Sequence, residues 1–354
     1  MTGNDVLQHI RTRLPDFTPT GDPQRLPEGN LNVVWRVPGV PRSIIAKWAP
    51  PYIAANPEVP LDPSRLAIEA RSLRALDADG ALAEVCTESV RLPRLLDAHA
   101  DPHLVLMEDI GPHPTLGPWL RSDAATPTAA ARVGAQMGRF IGRLHAATAG
   151  RADLAARFDN RAMQETRHAV QYEAIGDLLS AAGVADAAAL GARAAALGRR
   201  LLEPGACLTM GDLWPPSVLV TPGGLRLIDW ELAHYGQPLQ DLAHFAAHGW
   251  MQAHRAPDAS ACRAAQDLLE SFLAAYRAAL GADRAAALLT PQQLTEAAIH
   301  VGAEILVRTV GGFQAGYLYE GLPPEAPAVQ EAVDVAAQHL RIPAAVDTFD
   351  ALRR

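Results

Sequence analysis

CLTMGDLWPPSVLVTPGGLRLIDWELAHYGQPLQDL, residues 207–242, is the densest chemical signal in the chain. It reads as strand, loop, strand, a Gly223–Gly224 turn, and strand, with Pro215 and Pro216 stiffening the loop after Asp212. Asp212 and Asp229 lie on either side of the predicted hairpin, so their carboxylates can converge on one spot. Ser217 follows Asp212 by five positions and Glu231 follows Asp229 by two. On a strand, residues two apart share a face, so Asp229 and Glu231 are expected to present oxygens to one cation. An all-oxygen donor set of this hard type suits Mg²⁺, with phosphates completing its shell. Any one of these carboxylates alone would read as a turn cap; four polar groups at these offsets do not.

Upstream, Lys47 is the single lysine among 31 Lys and Arg residues. Arginine replaces lysine freely where a charge only meets water. A position that stays lysine calls for a compact ammonium on a thin stem, as when a point charge must reach phosphate oxygens. Lys47 ends RSIIAKW, a β-branched strand. A Gly29–Asn30 turn and a strand over Val33–Val37 precede it, so a hairpin with Asn30 and Asn32 at its turn can cover a nucleotide. Neither G-x-x-x-x-G-K-[ST] nor G-x-G-x-x-G occurs. The Pro-rich PPYIAANPEVPLDP reads as a loop. SRLAIEARSLRAL then reads as a helix with Ser64 at its N-cap and Glu69 able to pair with Lys47.

HLVLMEDIG, 103–111, reads as a buried strand whose polar end can offer backbone groups to a purine. From Thr126 the composition turns to Ala-rich helices. In RVGAQMGRFIGRLHAAT the recurrence of Gly134, Gly138 and Gly142 predicts a close-packed glycine side, and His145 reads as a structural histidine. Residues 151–205 read as helices without recognisable chemistry. Trp119, Trp250, Phe313 and Tyr317 read first as core, and secondarily as walls of a pocket.

The chain has 354 residues, 49% of them hydrophobic, and a net charge of −8, which speaks against a nucleic-acid surface. Cys86, Cys207 and Cys262 stand far apart, excluding a disulfide scaffold or thiolate zinc site and fitting a reducing compartment. No run approaches the ~18 apolar residues of a membrane span. The polar start MTGNDVLQHIRTRLPDF reads as a helix, not a signal peptide. A cytoplasmic protein, with no membrane partner, is expected.

In their order and spacing, EGNLNVVWRV, AKWAPPY, AIEARSL, LMEDI, GDL-x-x-x-S and D-x-E resemble the aminoglycoside phosphotransferase, choline kinase and methylthioribose kinase superfamily, closest to methylthioribose kinase. The resemblance implies an α+β, bilobed protein-kinase-like fold: an N-lobe over 1–109 with a small antiparallel sheet, and a mostly helical C-lobe over 110–354. It implies ATP and Mg²⁺ as cofactors, a small-molecule hydroxyl as substrate, and a second copy of the chain as a possible partner. By the same resemblance, Gly29, Asn30 and Asn32 would cover the phosphates, Lys47 would contact them and Glu69 would hold Lys47. The backbone of Glu108 and Ile110 would meet adenine. Asp212 would be the catalytic base, Ser217, Asp229 and Glu231 the metal ligands, and Arg308, in GAEILVRTVGGFQAGY, a substrate contact. Met210 and Trp214 stand where relatives usually carry histidines, and Thr309 follows Arg308 in place of a second arginine. An antibiotic-modifying kinase and a nucleotide-binding pseudokinase are the alternative readings.

Overall fold

Lys47 owes its position to strand alternation. In the computed structural model, which describes residues 1–27, 30–341 and 352, Ile44–Trp48 pairs antiparallel with Val33–Val37 on one side and Leu104–Glu108 on the other. Lys47 stands opposite Val34 and Val105. Gln24–Leu26 and Leu95–His99 complete a five-stranded antiparallel sheet. Successive side chains leave opposite faces. Trp35, Val37, Ile44, Ala46, Leu104 and Leu106 therefore pack against Val6, Leu7 and Ile10 of helix Gly3–Arg13. Val105, Met107 and Lys47 belong to the face toward helix Arg65–Ala75, whose Leu66, Ile68 and Leu73 join the larger core.

Two local expectations are corrected here. Ser64 is not a side-chain N-cap: its backbone is already helical, at φ −62° and ψ −15°. A capping residue needs extended backbone to reach the orphan amides; here Asp62 instead accepts the Ser64 N–H at 2.8 Å. The Pro-rich segment is not simply a loop. Tyr52–Ile53 and Asn56–Pro60 pair antiparallel, and Pro57 and Pro60 are tolerated because this ribbon is an exposed edge.

Helix Pro127–Thr148, capped by Thr126 accepting from the Ala129 amide, lies against helix Ala259–Leu280. The glycine side is as close-packed as its spacing predicts. A Cβ at Gly138 would lie 2.1 Å from the Phe272 carbonyl, and one at Gly134 would lie 2.0 Å from that of Leu268. Helices Leu239–His254, Pro291–Thr309 and Pro327–Arg341 extend this helical body. The 207–242 stretch lies across it. Cys207–Thr209 pairs with His234–Gly236, and Val218–Thr221 forms a hairpin with Gly224–Leu227. Val90–Arg91 adds to that hairpin in parallel, tying the sheet-bearing half of the chain to it. Among the described residues, no helix is long and apolar enough to cross a membrane.

Candidate active site

Three carboxylates surround the Lys47 ammonium. Its Nζ lies 2.8 Å from Glu69 Oε2, 2.8 Å from Asp229 Oδ1 and 3.6 Å from Glu231 Oε1. Burial opposes the charge, but Asp229, Glu231 and Glu69 together hold the ammonium well above the ordinary lysine range. Glu69, buried in the same knot, is pushed upward by desolvation despite Lys47. Asp229 is the open member, with its side chain 45% exposed.

Asp229 and Glu231 do not share a strand face, as the sequence suggested. The strand ends at Leu227, and Asp229 takes a left-handed backbone at φ 63°. The two side chains therefore diverge in task. Glu231 Oε1 accepts from Asn32 Nδ2 at 2.7 Å, and Oε2 accepts from Arg65 Nε at 2.9 Å. Arg65, fully buried, also donates to the carbonyls of Asp62 and Leu31 and to Asn32 Oδ1. Asn32 thus lies on Glu231, whereas Asn30 is exposed and Gly29 lies outside the described residues. Ser217 is buried and its Oγ has no hydrogen-bond partner. Its carbonyl accepts the Ile228 amide at 3.0 Å, which sets it beside the Asp229 turn.

Gly211 and Asp212 form a braced loop. Gly211 has φ +83°, and a Cβ there would meet the Leu232 carbonyl at 2.2 Å, so glycine is required. Asp241 accepts the amides of Met210 and Gly211, each at 2.9 Å. His145 contacts the same carboxylate at 3.0 Å and the Tyr276 hydroxyl at 3.0 Å, the structural role its position suggested. Met210 itself is fully buried. Asp212 Oδ1 accepts from Arg167 Nη2 at 3.0 Å and lies 3.1 Å from His244 Nε2. Arg167 also donates to the Gly211 carbonyl. Burial would raise the Asp212 carboxyl, yet His244, Arg167 and Arg308 hold it down at about 2.

Beyond Asp212 lies an aromatic wall. The Arg308 guanidinium sits 4.1 Å over the Trp214 ring, 5.3 Å from Phe313 and 5.7 Å from Tyr317. Its Nε donates to Glu304 at 2.7 Å. Glu304 is also bound by Gln171 at 2.7 Å and His248 at 3.0 Å. Burial would raise Glu304, but His244, Arg308 and His248 hold it well below the usual carboxylate range. Of the other two tryptophans named above, Trp119 is buried core and Trp250 stacks on His254.

At the strand end, the Glu108 side chain turns to Arg91 at 2.8 Å, leaving its backbone at the sheet edge. Asp109 accepts from Arg36, Ser43 and the Gly111 amide, fixing the connection that carries half-buried Ile110.

Sequence reading missed Arg65, Arg167, His244, His248 and Glu304. One signal was available. In D-x-x-H-x-x-x-H, Asp241, His244 and His248 stand at i, i+3 and i+7, one face of a helix. Arg167 and Gln171 flank the start of a π-helical turn over His168–Glu173, a geometry with no comparable sequence mark.

Residues 22–290 match the phosphotransferase enzyme family (APH). A 4-hydroxytryptamine kinase of Psilocybe cyanescens is 28% identical over 262 residues, covering 69% of this chain and 72% of that protein. Choline kinase of Cryptosporidium parvum Iowa II superposes with a TM-score of 0.55 at 13% identity, over 96% of this chain and 95% of that one. The amicoumacin kinase hAmiN, solved with AMP-PNP, Ca²⁺ and amicoumacin, superposes at 0.54 with 12% identity, over 97% and 94%. The two structures share the bilobed, protein-kinase-like α+β fold of this chain. On the family match and that fold, the chain belongs to the phosphotransferase enzyme family and is a small-molecule phosphotransferase.

Proposed function

We propose that the protein transfers the γ-phosphate of ATP to a hydroxyl of a small, uncharged polyol of the methylthioribose type. The observation that carries this reading is one buried ammonium, Lys47, held by Glu69 beside the exposed carboxylate of Asp229. Phosphoryl transfer is dominated by positioning and charge neutralisation, which such a cluster supplies. Lys47 would take the α- and β-phosphates, and the backbone at Glu108 and Ile110 would take the adenine. The AMP-PNP and Ca²⁺ held by the amicoumacin kinase support an adenine nucleotide and a divalent ion.

The donor set fits Mg²⁺. Ser217 Oγ is an orphaned buried hydroxyl, and Asp229 is an open carboxylate. These two would hold the ion, with Glu231 serving as the strut between Arg65 and Asn32. When bound, the ion would neutralise phosphate charge. Asp212 orients the acceptor hydroxyl and receives its proton as the bond to phosphorus forms.

Arg308 and Arg167, both beside Asp212, disfavour a cationic acceptor such as an aminoglycoside, and the Trp214–Tyr317 wall offers an apolar surface for a thioether-bearing sugar. The division into lobes at 109/110 belongs to the same reading. So does a cytoplasmic location, which the free thiols of Cys86, Cys207 and Cys262 support.

Coupled ATP turnover across sugars, amino alcohols and aminoglycosides tests the assignment. Neutral sugars should turn over fastest. Asp212→Asn should lower transfer by about 10³-fold while ATP–Mg²⁺ still raises the melting temperature. Full activity in Asp212→Asn, or preference for polycationic acceptors, would refute it.

A further inference from the structure

We infer that Tyr172, His300 and His244, each on a different helical segment, form a one-way hydrogen-bond chain that fixes Asp212 through Oδ1 and leaves Oδ2 as its reactive oxygen. The inference rests on the kinase reading only for what Oδ2 then does.

The chain is defined by donors. The Tyr172 hydroxyl lies 2.7 Å from His300 Nδ1. Burial pushes the phenol up to about 13 and holds His300 well below its ordinary value, so the first keeps its proton and the second carries only one. Tyr172 therefore donates to His300 Nδ1, and the imidazole proton of His300 sits on Nε2. That nitrogen faces His244 Nδ1 at 3.3 Å, nearer than Glu304 Oε2 at 3.6 Å. His244 Nδ1 accepts, which places the His244 proton on Nε2, 3.1 Å from Asp212 Oδ1. All three side chains are essentially fully buried, so water does not substitute for any of them.

Arg167 closes the clamp. Its Nη2 reaches the same Oδ1 at 3.0 Å while its Nη1 holds the Gly211 carbonyl. With two donors on one oxygen, rotation of the carboxylate would break both, so the other oxygen is presented in a fixed direction. His244 and Tyr172 are positioning residues: neither needs to touch an acceptor.

The test pairs kinetics with nitrogen-15 NMR of the histidine-labelled full-length protein at pH 7.5, the His244 signals assigned by their loss in His244→Gln. The wild type should show His244 protonated at Nε2 and bare at Nδ1, and Tyr172→Phe should abolish that preference. With the best acceptor from the screen, His244→Leu should lower kcat by about 30- to 100-fold while the KM for ATP changes less than about twofold. His244→Gln, which keeps a donor near the Nε2 position, should recover most of that loss. Tyr172→Phe, which keeps the packing and removes one donor, should lower kcat by about three- to tenfold. A His244 protonated at Nδ1, equal losses in the Leu and Gln variants, or a Tyr172→Phe enzyme at wild-type kcat would each overturn the chain. If the wild type transfers phosphate to nothing, the kinase reading falls, and the His244 tautomer still decides whether the chain exists.

Discussion

Arg65 shows what one buried charge does here. No part of the residue is exposed, and its guanidinium binds Glu231, Asn32 and the carbonyls of Asp62 and Leu31. It therefore links the helix behind Lys47 to the segment that carries Asp229. Arg65→Met should lower the unfolding free energy by about 3–5 kcal/mol, since it strands Glu231 without its partner; urea denaturation measures this, and a loss under about 1 kcal/mol would contradict the strut. Lys47 could be picked out by its chemistry, as the one lysine in an arginine-rich chain, and its approach to Glu69 at 2.8 Å follows from a strand packed under a helix. Arg65 could not. It is one of many arginines, and nothing in RLAIEARSLRA distinguishes a buried one from those in solvent.

The pair formed by helices Pro127–Thr148 and Ala259–Leu280 sets the position of the catalytic loop through His145, Asp241 and Tyr276. Their closeness depends on glycine. Gly138→Ala should destabilise the protein by at least about 2 kcal/mol, because its methyl would enter the Phe272 carbonyl and two backbones would have to separate. Calorimetry should show the lower melting temperature; an unchanged one would mean that the helices slide apart freely. This contact was legible in the four-residue recurrence of glycine. The Asp241–His244–His248 face was equally periodic, but its partners were not readable: Asp212, Glu304 and Tyr317 come from three other segments.

Across the molecule, buried neutral histidines set the acid limit of stability. Desolvation lowers His248 to about 3 and His339 to about 4, and holds His300 well below the ordinary value of 6.5. The unfolded chain takes up these protons as pH falls below about 6.5, while the folded protein refuses them until far lower. Stability from these groups is therefore complete above about pH 6.5 and declines as pH falls toward their folded values, near 4 for His339. Thermal melts from pH 8 to pH 4 should show a plateau followed by a steep fall. His339→Gln should flatten that fall without touching the site, and an unchanged slope would show that His339 titrates normally.

By itself the sequence determined which groups could do chemistry and roughly where they lie along the chain: the lone Lys47, Glu69, the Asp212 loop, the Asp229 turn and the glycine stripe. Those signals arise from turn chemistry, strand alternation and helical periodicity, which act over a few residues. Tertiary structure decided how the groups are used. It turned Glu231 toward Arg65, left Ser217 Oγ without a partner, and brought Arg167 and His244 onto one oxygen of Asp212. Residues as far apart as Arg167 and His244 meet only because several helices bury their apolar faces together, and the direction of a buried hydrogen bond is set by that packing rather than by neighbours in sequence.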